Sequence, residues 1–114
     1  MKVVLVAFRG EAMCFVHVLL NALDLADKGH EVKVILEGAA TKQIAELEDP
    51  NQPFADLYRQ VKERGLVSAV CRACAHKMGG LEAAQAQDLP IAAEMSGHPS
   101  LAGYVADGYQ VITF

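Results

Sequence analysis

The sequence predicts an α/β fold, a three-layer α/β/α sandwich on a mostly parallel five-stranded sheet. Three observations predict it. The run Val3–Phe8 is continuously apolar and rich in β-branched residues, as in a strand covered on both faces. Comparable short runs recur along the chain, separated by segments whose apolar residues fall at helical spacing. Glycines at 29, 65 and 108 stand where helices end, as a left-handed closing residue requires.

Taken in order, the first strand Val3–Phe8 is closed by Arg9-Gly10. A helix follows over Glu11–Lys28 with the stripe Ala12, Val16, Leu19, Leu20, Leu23 and Ala26. Glu31–Leu36 reads as the second strand, punctuated by Glu37-Gly38 before a helical stretch over Thr41–Leu47. Asp49–Pro53 is a loop, and Phe54, Leu57, Tyr58 and Val61 mark another helix. The third strand, Leu66–Val70, runs into a helical turn broken by Gly79-Gly80, and Leu81–Gln87 is helical again. Pro90 blocks further helix. Ile91–Met95 is a short fourth strand, Ser96–Pro99 a turn, Ser100–Ala106 a short helix and Tyr109–Phe114 a fifth strand. Strand alternating with helix makes residues 1–114 one domain with right-handed crossovers.

Composition narrows the function. With 114 residues, 53% of them hydrophobic and 21% charged, the chain can bury a core without staples. Net charge is -4 and the lysines and arginines are scattered, so no basic stripe fits a phosphate backbone and no nucleic-acid partner is expected. No apolar run approaches the roughly 20 residues that span a bilayer, so no membrane is expected. Val3–Phe8 is also shorter than a signal-peptide core. Three cysteines make no closed disulfide framework, and the expectation is a reducing cytoplasm.

The chemistry concentrates at Cys71-Arg72-Ala73-Cys74. In a parallel sheet the strands end at one edge, and ligands gather in the loops beyond it. Cys71 comes where the third strand stops and a helix begins, so free backbone N–H groups and positive charge from Arg72, His76 and Lys77 favour a thiolate. Cys74 shares that turn. Burial as two small hydrophobes is the plain alternative. A zinc reading with Cys71, Cys74 and His76 lacks a fourth ligand, so no cofactor is called for. His98, after the fourth strand, reaches the same edge, although a lone histidine beside Pro99 is more often a turn residue. Arg9 and Glu11, after the first strand, could orient a polar ligand, although charges there are commonly solvated. Cys14, in the first turn of the first helix, is expected to serve packing. GxGxxG and GxxxxGK[ST] loops are absent.

With its opening strand Val3–Phe8, its Cys71 loop and its ending Gly108-Tyr109-Gln110-Val111-Ile112-Thr113-Phe114, the chain resembles the DsrE/DsrF-like sulfur-relay proteins over nearly its whole length. The resemblance implies a small α/β/α domain that assembles into oligomers and a cysteine after the third strand, Cys71 or Cys74, that carries sulfur as a persulfide. It also implies sulfur-donor and acceptor proteins as partners, and a carrier of the sulfurtransferase type. The second cysteine departs from that pattern: it could resolve a persulfide into a disulfide, or serve thiol-disulfide exchange without sulfur cargo. A non-catalytic oligomer holding a metal or small molecule is the remaining alternative. Cys71, at the helix cap, is expected to be the acceptor thiolate, with Cys74 the alternative carrier or the resolving thiol. A second apolar line on the first helix, Phe15, Val18, Ala22 and Leu25, leaves a narrow polar face and predicts a homo-oligomer joined there.

Overall fold

A computed structural model describes residues 1–114. Five strands form one sheet, every pair parallel: β1 (Lys2–Ala7), β2 (Glu31–Leu36), β3 (Val67–Cys71), β4 (Ile91–Ala92) and β5 (Gln110–Thr113), in the spatial order β4-β3-β2-β1-β5. The helices are α1 (Ala12–Asp27), α2 (Gln43–Glu46), α3 (Ala55–Glu63), α4 (Arg72–Met78), α5 (Leu81–Ala86) and α6 (Ala102–Ala106), with a 3-10 turn over Gly38–Lys42.

The two faces of the sheet are unequally covered. Helices α1, α3, α4 and α5 close one face over a core of 21 buried side chains, among them Leu5, Phe15, Leu19, Val34, Ile44, Tyr58 and Val61. The other face has only five, Val4, Val6, Ile35, Ala69 and Tyr109, beneath Leu101 and Tyr104 of the α6 segment. Each apolar side chain buried fully contributes roughly 1.5–3 kcal/mol, so the first face carries most of the stability.

Helix α1 is rotated from the stripe its sequence suggests. Leu20 is 46% exposed, whereas Phe15, Val18 and Ala22 are buried inside the domain and Leu25 packs against the same core. The reason is α3: the Tyr58 ring lies 6.5 Å from that of Phe15, so the second apolar line is covered by a neighbouring helix of the same chain. That line is therefore no surface for a second copy.

Two irregularities position the site. Between β2 and β3 the register shifts, Val34 pairing with Val67 but Ile35 with Ala69. Ser68 is the extra residue of a bulge, and a bulge reverses the alternation of side chains that follows it. Val67 and Val70 thus both enter the larger core, Ala69 enters the smaller one, and Cys71 falls on the side of Ala69. The second concerns β4, which stops after Ala92 rather than running to Met95. Met95 instead pairs back with His98 across Ser96-Gly97, with Met95 N–H donating to His98 O at 2.8 Å and His98 N–H to Met95 O at 3.0 Å. Both turn residues have positive φ, 51° and 93°, the signature of a tight type I′ hairpin that glycine at the second position makes inexpensive.

Candidate functional site

Three neighbouring strand ends supply the site. Cys71 is the last residue of β3 and the N-cap of α4, and its sulfur accepts a hydrogen bond from Cys74 N–H at 3.4 Å. A thiol thus takes the capping place usually held by a hydroxyl or carboxylate. The hairpin after β4 docks on this turn, Ala73 N–H donating to Gly97 O at 3.0 Å. A methyl at Gly97 would stand 3.3 Å from the Ala73 methyl, so only a small residue lets the hairpin come this close. Docked in this way, the hairpin aims His98 at both sulfurs: Nδ1 lies 3.0 Å from Cys71 Sγ and 3.7 Å from Cys74 Sγ. Cys71 Sγ also lies 3.7 Å from Gly97 O.

The fourth member is Glu37, at the end of β2. Its sequence neighbourhood reads only as punctuation before Gly38. In the fold β2 lies beside β3, and by the strand alternation Glu37 falls on the side of Ile35, the side that Cys71 also takes. One donor atom from each of Glu37, Cys71, Cys74 and His98 lies within 4.8 Å of all the others. Glu37 is only 8% exposed, and its carboxylate oxygens keep contact with solvent rather than with a protein hydrogen-bond partner. Burial raises its pKa, and the nearby His98 partly offsets the rise.

The two thiols differ sharply. Cys71 is fully buried, and burial foremost, with the adjoining Cys74 thiol and the Glu37 charge, pushes its pKa up to about 11 against the pull of the Cys74 N–H. The expectation of an accessible, acidic Cys71 thiolate is therefore overturned, because the capping N–H is outweighed by loss of water. Cys74 is half-buried and lines a cleft of about 500 Å³ together with Gly38, Lys77, Met78 and His98.

Of the other sequence candidates, Arg72 and His76 are exposed and border a separate recess of about 310 Å³ beyond Ala73 and Gly97. Neither bonds to a sulfur, so the third member of the cluster is His98, not His76. Helical spacing turns the His76 ring away from the strand edge, whereas the hairpin turns His98 toward it. Arg9 is exposed and lines a different recess with Cys14, His17, Asn21 and Phe114. Glu11, exposed at the N-cap of α1, makes no side-chain capping bond. Strand β2 separates β1 from β3, so Arg9 and Glu11 belong to another stretch of the sheet edge.

Comparison with known proteins adds three findings. The family model for the DsrE/DsrF-like family matches residues 2–114. An uncharacterised protein of Methanocaldococcus jannaschii is 36% identical over 96 residues, covering 84% of this chain and 76% of that protein. No solved structure gives a significant match. With its all-parallel five-stranded sheet and the Cys71-x-x-Cys74 turn at the sheet's carboxyl edge, the chain belongs to the DsrE/DsrF-like family.

Proposed function

We propose that this protein is a sulfur carrier in which Cys74 takes up sulfane sulfur as a persulfide and Cys71 is the thiol that releases it. The observation that carries this reading is the asymmetry of the pair. Cys74 faces a cleft large enough for a donor's cysteine-bearing segment, while Cys71 is buried behind it, and both sulfurs share His98 Nδ1. This takes Cys74, the alternative carrier in the sequence reading, in preference to Cys71.

In the loading step the Cys74 thiolate attacks the outer sulfur of a donor persulfide. A Cys74 Sγ–S bond forms, the donor's S–S bond breaks, and the donor leaves as a thiolate with the bonding pair, so no net oxidation occurs. Two exits follow. An acceptor thiolate can attack the outer sulfur and restore Cys74. Alternatively, the Cys71 thiolate attacks Cys74 Sγ, forming a disulfide and expelling hydrosulfide. There the two thiols lose the two electrons that the sulfane sulfur gains, and a dithiol reductant then restores the pair. His98 Nδ1 is placed to accept the proton of the attacking thiol.

Donor and acceptor are proteins in this reading, and Lys77 and Met78 on the cleft wall offer them one cationic and one apolar contact. Assembly into a homo-oligomer, if it accompanies this role, uses surface other than the inner line of α1. The exposed Met13 and Leu20, seven residues apart on one helix face, are the apolar positions of α1 left for it. Light scattering on wild type and on Met13→Glu/Leu20→Glu tests this: a wild-type monomer, or an oligomer indifferent to the pair, rules the surface out.

Intact-protein mass spectrometry after incubation with a persulfide donor tests the carrier. Wild type gains the mass of one sulfur atom, Cys71→Ser gains it and keeps it, and Cys74→Ser gains none. Uptake by Cys74→Ser, or disulfide formation by wild type with no sulfur adduct at any time, overturns the proposal. The second of those outcomes identifies a thiol-disulfide exchanger.

A further inference from the structure

We propose that Glu37, Cys71, Cys74 and His98 form a four-coordinate binding site for a zinc-type divalent ion. Three independent features of the structure lead there. The first is convergence: the ends of β2 and β3 and the hairpin after β4 each send donors to one point, where all four donor atoms lie within 4.8 Å of one another. A tetrahedral zinc site with usual bond lengths has ligand atoms about 3.5–3.8 Å apart, so 3.7 Å between Cys74 Sγ and His98 Nδ1 already fits. The 3.0 Å between Cys71 Sγ and His98 Nδ1 opens by about half an ångström on binding.

The second feature is Glu37. Glu37 is only 8% exposed, and although its carboxylate still touches solvent, a charge held so nearly out of water is costly to keep. A cation held between it and the sulfurs supplies the missing partner. Within the cluster His98 is the one group whose charge favours the carboxylate, and a divalent ion favours it more strongly.

The third feature is the donor set itself. Two sulfurs, one imidazole nitrogen and one carboxylate oxygen suit a borderline-soft ion that accepts S, N and O together. Calcium and magnesium require oxygen ligands, and cuprous ion favours sulfur without carboxylate. The surrounding bonds also suit a metal: Cys74 N–H already donates to Cys71 Sγ, and the hairpin that carries His98 is fastened to α4 through Gly97 O. Binding expels the two thiol protons, and the two thiolates and one carboxylate then leave the occupied site with a single net negative charge.

The site shares Cys74 with the sulfur reading but does not rest on it, because the ion is bound with no sulfur donor present. The test is titration of the reduced, metal-stripped full chain with cobalt(II), whose colour reports coordination. The expected result is one equivalent bound with tetrahedral visible bands and sulfur-to-cobalt charge transfer, all displaced by zinc. Glu37→Gln and His98→Gln, each checked for native circular dichroism, weaken binding by more than about two orders of magnitude, beyond the roughly 10–100-fold that loss of an outer partner costs. His76→Ala and Cys14→Ser bind as wild type does. Octahedral or absent cobalt bands in wild type overturn the proposal, and so does wild-type affinity in both Glu37→Gln and His98→Gln. Tetrahedral cobalt binding in a protein that never takes up sulfane sulfur would sink the carrier and leave the metal site standing; sulfur uptake without cobalt binding would do the reverse.

Discussion

Two stretches of the same sheet edge carry nearly the same ingredients. Beyond β1, Arg9, Cys14 and His17 line a recess of about 320 Å³. Beyond β2, β3 and β4, Glu37, Cys71, Cys74 and His98 meet beside a cleft of about 500 Å³. The first lies between the ends of β1 and β5, where the strand order reverses, the customary place for a ligand in an open α/β sheet. Yet the Cys14 side chain makes no hydrogen bond, while each sulfur of the second stretch bonds to His98. Residue types do not distinguish the two stretches; convergence does. Cys14 and His17 sit on one helix, whereas the second cluster draws on three separate strand ends that the sheet holds in fixed register.

The largest expected contrast is in thiol reactivity. In native reduced protein, alkylation followed by peptide mass spectrometry should find Cys74 modified first and Cys71 last, with Cys71 slower than Cys74 by about 100-fold or more, as burial of a thiol requires. Cys14 reacting before Cys74 would erase the distinction between the two stretches.

Next is stability. Cys71→Ser puts a hydroxyl in a fully buried place and should cost about 1–3 kcal/mol in urea denaturation, whereas Cys14→Ser and Cys74→Ser should stay within about 0.5 kcal/mol. A Cys71→Ser loss no larger than that of Cys14→Ser would mean that Cys71 is less buried than described.

A pH effect of smaller size follows from the same burial. The Cys71 thiol titrates near 9.0 when unfolded and at about 11 when folded, so the unfolded chain ionises first. Its contribution to stability is complete below pH 9.0 and is lost as pH rises to about 11. The metal-free wild type should therefore lose more stability over that interval than Cys71→Ala, and parallel curves would remove the effect.

The smallest effect concerns Glu37. Since burial disfavours its charge, metal-free Glu37→Gln should be more stable than wild type at pH 7 by up to about 1 kcal/mol, with the gain fading as pH falls through the carboxylate range. Destabilisation would show that Glu37 holds the apo fold together.

Much of this was legible in the sequence. Each strand appears at its place to within a few residues, because continuous β-branched runs and helical stripes are local signals. The Cys71-x-x-Cys74 turn was legible for the same reason: cysteine spacing and the strand-to-helix switch lie within a few residues. Glu37 was not, since its place beside Cys71 depends on β2 being the neighbour of β3. Nor was the burial of Cys71, because the Ser68 bulge decides which side of the sheet Cys71 takes, and a bulge leaves no mark in residue type. The choice of His98 over His76 turned on a two-residue hairpin at Ser96-Gly97 where the sequence suggested strand and simple turn.

Strand β5 has a consequence for how the chain reaches this state. It pairs Val3 with Gln110 and Val6 with Thr113, and Phe8 N–H and Phe114 N–H extend the ladder at 2.8 Å each. These partners are separated by nearly the entire sequence, so closing them costs more chain entropy than any other strand pairing here, and they form late in folding. Until β5 arrives, β1 presents an open ladder along Val3-Val4-Leu5-Val6-Ala7, an apolar edge with no charge or proline to discourage pairing with another chain. A newly made chain thus carries its most adhesive strand unguarded through synthesis until residues 110–113 emerge to cover it.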